Sequence, residues 1–176
     1  MITATSFQTN SASSGHESIQ TVIRFLEAIG HPTSLPRLAD HILLSFAELS
    51  RYPHGALFLF EREHRHYRQM HTCGQIKSLV APSVMAVDHP LVQSLIVDQH
   101  IVVGLESTIT PQSELSNDIA NALPGSYTLA VPLITHGTLI AFTVLHSPAT
   151  HATLSPVTME LLTAMAQGAA NALDSL

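Results

Sequence analysis

The sequence predicts an α+β fold in which helices cover both faces of an antiparallel sheet. Three observations indicate this fold: two helical segments open the chain, a long helix closes it, and short apolar runs and a tight hairpin between them have the period of strands. With 176 residues, the chain is long enough for one domain with a substantial core and short for two. We therefore expect a flexible N-terminal arm over residues 1–15 and a single domain over residues 16–176.

The N-terminal region is predicted to form two helices. Residues 14–17 match a capping box for the first helix, and Ser34 is the predicted N-cap of the second, which spans about residues 35–51. The apolar stripe of the first helix comprises Ile19, Val22, Ile23, Leu26 and Ile29. Its narrow, nearly heptad spacing favours dimerisation together with the Ala- and Gly-rich last helix, the alternative being packing of the two chain ends within one molecule.

A change of period after Pro53 predicts the first strands. Residues 55–60 are almost entirely apolar, which is typical of a central strand, and residues 64–73 alternate weakly, which is typical of a more exposed antiparallel partner. The polar residues 61–63 form the predicted turn between them. A further short strand is predicted near residues 77–81.

The middle of the chain is predicted to contain two helices with a strand between them. Asp88 is the predicted N-cap of a helix over about residues 89–98, flanked by apolar residues at hydrophobic-staple spacing. Residues 101–103 predict a short strand. Pro111 is then suited to the first turn of a helix that reaches residue 123.

The C-terminal region predicts a hairpin followed by a long helix. Residues 127–135 and 138–146 read as strands joined by a two-residue His-Gly connection. Pro132 within the first of these strands predicts a bulge or a side without a ladder partner. Ser155 and Pro156 predict the start of a helix over about residues 156–174.

The charge pattern excludes several classes of function. The chain has 7 Lys and Arg against 13 Asp and Glu, which argues against a general binder of nucleic acid or anionic membranes. All seven basic residues lie at or before Lys77, so a phosphate ligand held by the second half would lack its simplest partner. The 12 histidines fall mostly at turns and helix edges, where they substitute for charged surface residues.

Compartment and topology follow from two further features of the sequence. Cys73 is the single cysteine, so an intramolecular disulfide and a multi-cysteine zinc site are both excluded. The N-terminus lacks the basic start and apolar stretch of a signal peptide, and no run approaches the roughly 18 apolar residues of a membrane span. We expect a cytoplasmic protein without membrane insertion.

Taken in order, these segments resemble the GAF family of small-molecule sensor domains over about residues 35–174. The resemblance rests on the central apolar strand, the Cys-Gly that ends the next strand, and the Asp-His-Pro-Leu-Val segment at residues 88–92. The hairpin at residues 129–145 carries the most specific part of the pattern, with Ala141 where glycine is common. The spacing is also similar to GAF domains of bacterial histidine kinases, although no kinase sequence is present.

The resemblance implies a GAF-like (PAS/profilin-like) six-stranded antiparallel sheet. The N- and C-terminal helices would pack together on one face, and the middle helices would cover a ligand pocket on the other. It further implies a non-catalytic sensory or regulatory domain of a bacterial signalling protein. Such a domain would bind a small molecule and dimerise through its terminal helices, and its output partner would be a kinase, a cyclase or a transcription regulator.

The implied ligand-binding residues are mainly apolar or aromatic and lie on the elements that line the family's pocket. They are Phe58, Phe60, Met70, His89, Leu95, Leu105, Glu106, Ile119, Tyr127 and Leu129. Ordinary core packing is the alternative for each apolar one. Because residues 78–176 contain no Lys or Arg, we expect a small, largely apolar or neutral ligand, and its identity and any cofactor stay open.

No catalytic residues and no resident metal are expected. The sequence has neither a Gly-x-Ser-x-Gly elbow nor a His-Glu-x-x-His helix, and one cysteine leaves no resolving thiol for methionine-sulfoxide reduction. His64 and His66, two apart on a predicted strand, and Cys73 are the side chains considered for a metal or haem, with His71 and Cys73 expected on the opposite face. Two alternatives stay open: a ligand-free dimerisation or partner-docking module, and a metal or haem redox sensor.

Overall fold

A computed structural model describes residues 9–30, 34–74, 83–105, 127–147 and 154–176. Within these ranges the elements are α1 (Thr9–Gly30), α2 (Leu35–Ser50), β1 (His54–Glu61), β2 (His66–Cys73), β3 (Val84–Ala86), α3 (Pro90–Asp98), β4 (Val102–Leu105), β5 (Tyr127–Thr135), β6 (Thr138–Ser147) and α4 (Pro156–Asp174). No helix in these ranges is long and apolar enough to span a bilayer.

The six strands form one antiparallel sheet in the order β3-β2-β1-β6-β5-β4. Helices α1, α2 and α4 pack on one face, and α3 packs on the other. We call these the terminal-helix face and the α3 face. The predicted α+β architecture is therefore confirmed, including the packing of the first and last helices on the same face.

The sheet separates two hydrophobic cores because successive side chains of a strand point to opposite faces. On β1, Leu57 belongs to the core beneath the terminal helices, whereas its neighbours Ala56 and Phe58 belong to the core beneath α3. The central strand β6 alternates in the same way: Leu145 faces the terminal helices and Phe142 faces α3. This alternation explains why the central strands read as almost continuous apolar runs.

The predicted hairpin and the predicted last helix are both confirmed, and local geometry explains why each forms. His136 and Gly137 have φ values of 50° and 74°, the positive values that a tight two-residue connection between twisted strands requires. β4 pairs with β5 only as far as Ala130, so Pro132 lies beyond the ladder on that side. The β5–β6 register also shifts after Leu133, which agrees with a bulge near the proline. Both expectations for a proline inside β5 are therefore met. Ser155 caps α4, since its Oγ accepts a hydrogen bond from the Thr158 backbone N at 3.1 Å.

Two helix starts differ from the predicted ones. The capping box at residues 14–17 is wrong, because α1 already begins at Thr9 and runs through that segment. The N-cap of α3 is His89 and not Asp88, because the imidazole Nδ1 of His89 accepts from the Leu91 backbone N at 3.2 Å. Ser34 is at the N-cap position of α2, but its side chain makes no capping hydrogen bond.

Other parts of the sequence-based prediction fall outside the described residues. These are most of the N-terminal arm, the strand near residues 77–81 and the middle helix over residues 111–123. The short strand β3 (Val84–Ala86), by contrast, was not predicted. It pairs with the start of β2 and extends the sheet on that side.

A β-bulge in β2 changes which of its side chains share a face. His71 lies opposite Leu57 and Gln69 lies opposite Phe58, so Met70 is the extra residue. Because of this insertion, His66 and His71 both point to the terminal-helix face. The expectation that they lie on opposite faces is therefore wrong.

Candidate functional site

The α3 face carries the region where the ligand-binding residues were predicted. The sheet supplies its floor, and the apolar side of α3 covers part of it. The buried residues of this core are Ala56, Phe58, Tyr67, Met85, Leu91, Val92, Leu95, Ala130, Leu139, Phe142 and Val144. The packed centre of this face is thus built from apolar and aromatic side chains.

Four aromatic rings form the centre of this core. Phe58 and Phe142 stack across β1 and β6, with ring centroids 4.9 Å apart and planes inclined by 11°. Tyr67 meets Phe142 edge-on at 5.1 Å, and Phe60 lies 5.1 Å from Tyr67. Stacked and edge-on contacts are the preferred geometries of aromatic pairs, and they stabilise the packing of the floor.

Tyr67 contributes the main polar atom of the aromatic group. Its hydroxyl donates a hydrogen bond to the Leu139 backbone O at 2.9 Å, which links β2 to β6 across β1. Burial raises the pKa of Tyr67 to about 12, so the phenol stays protonated at neutral pH. A neutral hydroxyl within an apolar floor suits an uncharged molecule better than an anion.

A second polar group on the α3 face was missed from the sequence. Thr128 and His146 face each other across β5 and β6, with the Thr128 Oγ1 and the His146 Nδ1 3.1 Å apart, and both residues are buried. His54 is the next residue across the sheet, opposite His146. Only the strand register brings these residues together, since they lie in three separate segments of the chain.

The structure brings some of the predicted ligand-binding residues together. Phe58 and Leu95 are fully buried in the α3-face core, and Phe60 packs against it. His89 lies at the start of α3, where its Nδ1 is already used as a helix cap. Burial lowers the pKa of His89, against an opposing effect of Asp88, so the neutral ring that capping requires is favoured.

The structure separates others from that group. Leu129 is fully buried beneath the terminal helices, on the face opposite α3, because it pairs with Leu145 and shares its orientation. Met70 is the bulge residue and is 39% exposed. Leu105 and Tyr127 form a backbone pair between β4 and β5. Glu106 and Ile119 lie outside the described residues.

Cys73 lies at the opposite end of β2 from His66. Seven residues of strand correspond to about 23 Å, so the two side chains cannot share one metal ion. The Cys73 thiol is buried in the terminal-helix core with its Sγ 3.8 Å from the Pro53 backbone O. Burial raises the pKa of this thiol, Asp40 raises it further, and a hydrogen bond from the Gly55 backbone lowers it. A reactive thiolate is thus disfavoured.

His64 and His66 lie close to each other, but not as predicted. His64 is in the β1–β2 turn and not on the strand, and its ring lies 5.4 Å from that of His66. Glu61, which pairs with His66 across the hairpin, completes a group of three. Desolvation raises the pKa of Glu61, but Arg68, His64 and His66 lower it by more, so the carboxyl is ionised.

A third candidate functional feature, besides the α3 face and the group at Glu61, is an apolar stripe on α1 that nothing in the described chain covers. Of the predicted stripe, Val22 and Ile29 pack inward, together with the fully buried Phe25. Three others point outward and are about half exposed: Ile19 at 57%, Ile23 at 50% and Leu26 at 53%. Their 4-3 spacing is that of a coiled-coil seam.

Comparisons with known proteins agree with this architecture. A family model described as GAF domain matches residues 34–173. Similar solved structures include the GAF domain of an Acinetobacter phosphoenolpyruvate-protein phosphotransferase, with a TM-score of 0.69 and 16% identity over 89% of this chain and 92% of that one. The GAF domain of a phosphoenolpyruvate-protein phosphotransferase from Coxiella burnetii has a TM-score of 0.72 and 13% identity over 91% and 94%.

A photoreceptor domain has the same fold. The chromophore-binding domain of a Stigmatella aurantiaca bacteriophytochrome has a TM-score of 0.69 and 9% identity, over 99% of this chain and 64% of that one. At these identities the likeness shows the shared fold alone. No curated protein sequence matches the chain significantly.

Proposed function

The chain belongs to the GAF domain family of sensory and regulatory domains, and we propose that it is a non-catalytic member that binds a small, largely apolar or neutral ligand beside α3 and signals through dimerising terminal helices. The regulated partner would be a kinase, a cyclase or a transcription regulator. The exposed stripe on α1 is the observation that carries the proposal.

The stripe supports dimerisation because its three residues are large, apolar and adjacent on one helix. Fully burying an exposed Ile or Leu side chain contributes about 1.5–3 kcal/mol, so a half-exposed one contributes roughly half of that. A symmetric pairing of two α1 helices would bury each stripe residue in both protomers. The exposed seam on α1 is continuous and uncharged, and it consists of Ile19, Ile23 and Leu26. A parallel or antiparallel helix pair would cover this surface.

The α3 face supports a ligand without charge. Its buried core is aromatic and aliphatic, and its polar atoms include the hydroxyls of Tyr67 and Thr128 and the ring nitrogens of His146. Arg68 on β2 lies opposite Leu59 and so points to the terminal-helix face. The residues after Lys77 supply no Lys or Arg side chain.

The fold connects the two surfaces through packed side chains. On β6, Phe142 faces α3, whereas the adjacent Ala141 belongs to the core beneath the terminal helices. α4 packs on β5, and α1 packs on α4. A ligand that shifts the hairpin β5–β6 would therefore shift the helix that carries the stripe, which is how a binding event would alter a dimer.

Sedimentation velocity of the full chain tests the dimer part of the proposal. We expect a reversible dimer whose dissociation constant rises more than tenfold in Ile23→Glu, since a loss above about 1.4 kcal/mol corresponds to that factor. Val97→Glu is the matched control, because Val97 is 74% exposed on α3 and far from the stripe. A monomeric wild type, or equal weakening by Val97→Glu, would contradict it.

A further inference from the structure

The tip of the β1–β2 hairpin holds three potential metal ligands that no part of the proposed function uses. Among the described residues, the donor atoms of Glu61, His64 and His66 all lie within 4.8 Å of one another. Glu61 Oε2 is 2.7 Å from His66 Nε2 and 3.3 Å from His64 Nδ1. In tetrahedral zinc sites with bonds of about 2.0–2.2 Å, ligand atoms lie about 3.3–3.6 Å apart. The Glu61–His64 separation matches that range, and the Glu61–His66 separation would widen by less than about 1 Å to reach it.

The contact between Glu61 and His66 is short and lies out of solvent. Glu61 Oε2 and His66 Nε2 are both shielded from solvent and lie 2.7 Å apart. Arg68 Nη2 is the other close neighbour of the same Glu61 oxygen, at 3.0 Å. A metal ion bound to Glu61 Oε2 and His66 Nε2 would replace the contact between these two atoms with two bonds to the ion.

Backbone geometry holds the three ligands in place. Glu61 and His66 form the last cross-strand pair of the hairpin, so their side chains share one face. The turn between them contains Arg65 at a φ of 53°, and it directs His64 back over the same side, where its ring stacks on that of His66 at an interplanar angle of 25°. The group is therefore preformed.

We propose that Glu61, His64 and His66 bind one divalent late transition-metal ion, with Zn²⁺ as its representative. Two imidazoles and one carboxylate suit zinc, nickel or copper and do not suit magnesium or calcium, which prefer oxygen ligands. Three protein ligands leave one position for water. The side chain of His64 is 58% exposed, so an ion can reach the site from solvent.

Arg68 would compete with a bound metal ion, so replacing it provides a test that distinguishes a metal site from an ion-pair network. Its Nη2 lies 3.0 Å from the same Glu61 Oε2, and its side chain is 52% exposed. A guanidinium next to this oxygen competes with a metal for it and repels the metal's charge. If the group is a metal site, removing this guanidinium strengthens metal binding. If it is only an ion-pair network, the same change gains nothing.

The site is separate from the proposed ligand site. Leu57 and Leu59 face the terminal helices, and Glu61 continues that alternation, so the metal ligands lie on the face opposite α3. A metal ion bound at this site would fix the β1–β2 turn against the ends of β1 and β2. The proposal therefore stands or falls without affecting the proposed function.

Zinc titration of the chelator-treated full chain, in competition with a chromophoric chelator, tests the proposal. We expect one Zn²⁺ per chain, with affinity lowered more than about tenfold in Glu61→Gln and in His66→Gln, since even the loss of an outer-shell partner costs about 10–100-fold. His71→Gln, on the same strand, and His136→Asn, in the exposed β5–β6 turn, are controls that should bind like the wild type.

Arg68→Gln retains all three ligands, so it tests the metal site even if the ligand variants fold poorly. We expect it to bind Zn²⁺ more tightly than the wild type, and we expect Zn²⁺ to raise the unfolding temperature of both. Absence of stoichiometric binding by the wild type, equal loss in His71→Gln, or binding by Arg68→Gln that is no tighter than that of the wild type would each overturn the metal site.

Discussion

Gly168 of α4 lies against Ile29 of α1, and a Cβ atom at position 168 would come within 3.0 Å of the Ile29 Cδ1. The Phe25 ring, also on α1, would lie 3.8 Å from the same atom. A glycine here lets the two terminal helices approach closely. This contact joins the helix that carries the exposed stripe to the helix that packs on the sheet.

We expect Gly168→Leu to lower the free energy of unfolding by about 1–3 kcal/mol, because the added side chain overpacks the contact with Ile29. Gly168→Ala should change it by less than about 1 kcal/mol, because the better helix propensity of alanine offsets the tight contact. Urea denaturation of both variants measures the difference. In an Ile29→Ala background, part of the stability lost in Gly168→Leu should be recovered, and strictly additive effects would show that the two positions are not in contact.

Tyr67 makes the stability of the domain sensitive to alkaline pH. Burial raises its pKa from 10.0 to about 12, so the folded chain holds the phenolic proton more tightly than the unfolded chain does. The resulting stabilisation is fully present below pH 10 and is lost as pH rises towards 12 and above. We expect a loss of about 2–3 kcal/mol from this group across that window.

The matched variant for this prediction is Tyr67→Phe, measured by denaturant unfolding at several pH values. At neutral pH it should be less stable than the wild type by about 1–3 kcal/mol, since the Leu139 carbonyl loses its buried donor. Its stability should decline less steeply than that of the wild type above about pH 10. Parallel pH profiles for the two proteins would show that Tyr67 does not titrate as its burial implies.

Cys73 is expected to be a slow thiol in the folded protein. The side chain is buried, and that burial raises the pKa of the thiol, so little thiolate is present or accessible at neutral pH. Alkylation by iodoacetamide near neutral pH should be more than about tenfold slower in the native chain than in denaturant. Similar rates in both states would revive the redox-sensor alternative that uses this cysteine.

The fold was largely predictable because its signals are local. The apolar run of β1, the His-Gly connection between β5 and β6 and the Ser-Pro start of α4 each depend on a few adjacent residues. Helix N-caps were less predictable. Asp88 and His89 both carry an acceptor suited to capping, and only the position of Pro90 in the first turn of the folded helix decides between them.

The candidate sites depend on strand register, which a single sequence does not specify. The bulge at Met70 reverses the alternation along β2, so the faces assigned to His66 and His71 could not be read from spacing. Glu61 joins the histidines only because the hairpin pairs it with His66. The side of the sheet that Leu129 occupies likewise follows from its pairing with Leu145 and not from its own character.

Native mass spectrometry of the full chain, purified from its expression host without added ligand, tests the sensory role most directly. We predict a dimer that carries a stoichiometric extra mass, released under denaturing conditions as a small, uncharged or largely apolar compound. A dimer with no extra mass in repeated preparations would contradict ligand sensing and favour the ligand-free dimerisation module. A bare monomer would contradict both parts of the proposed function.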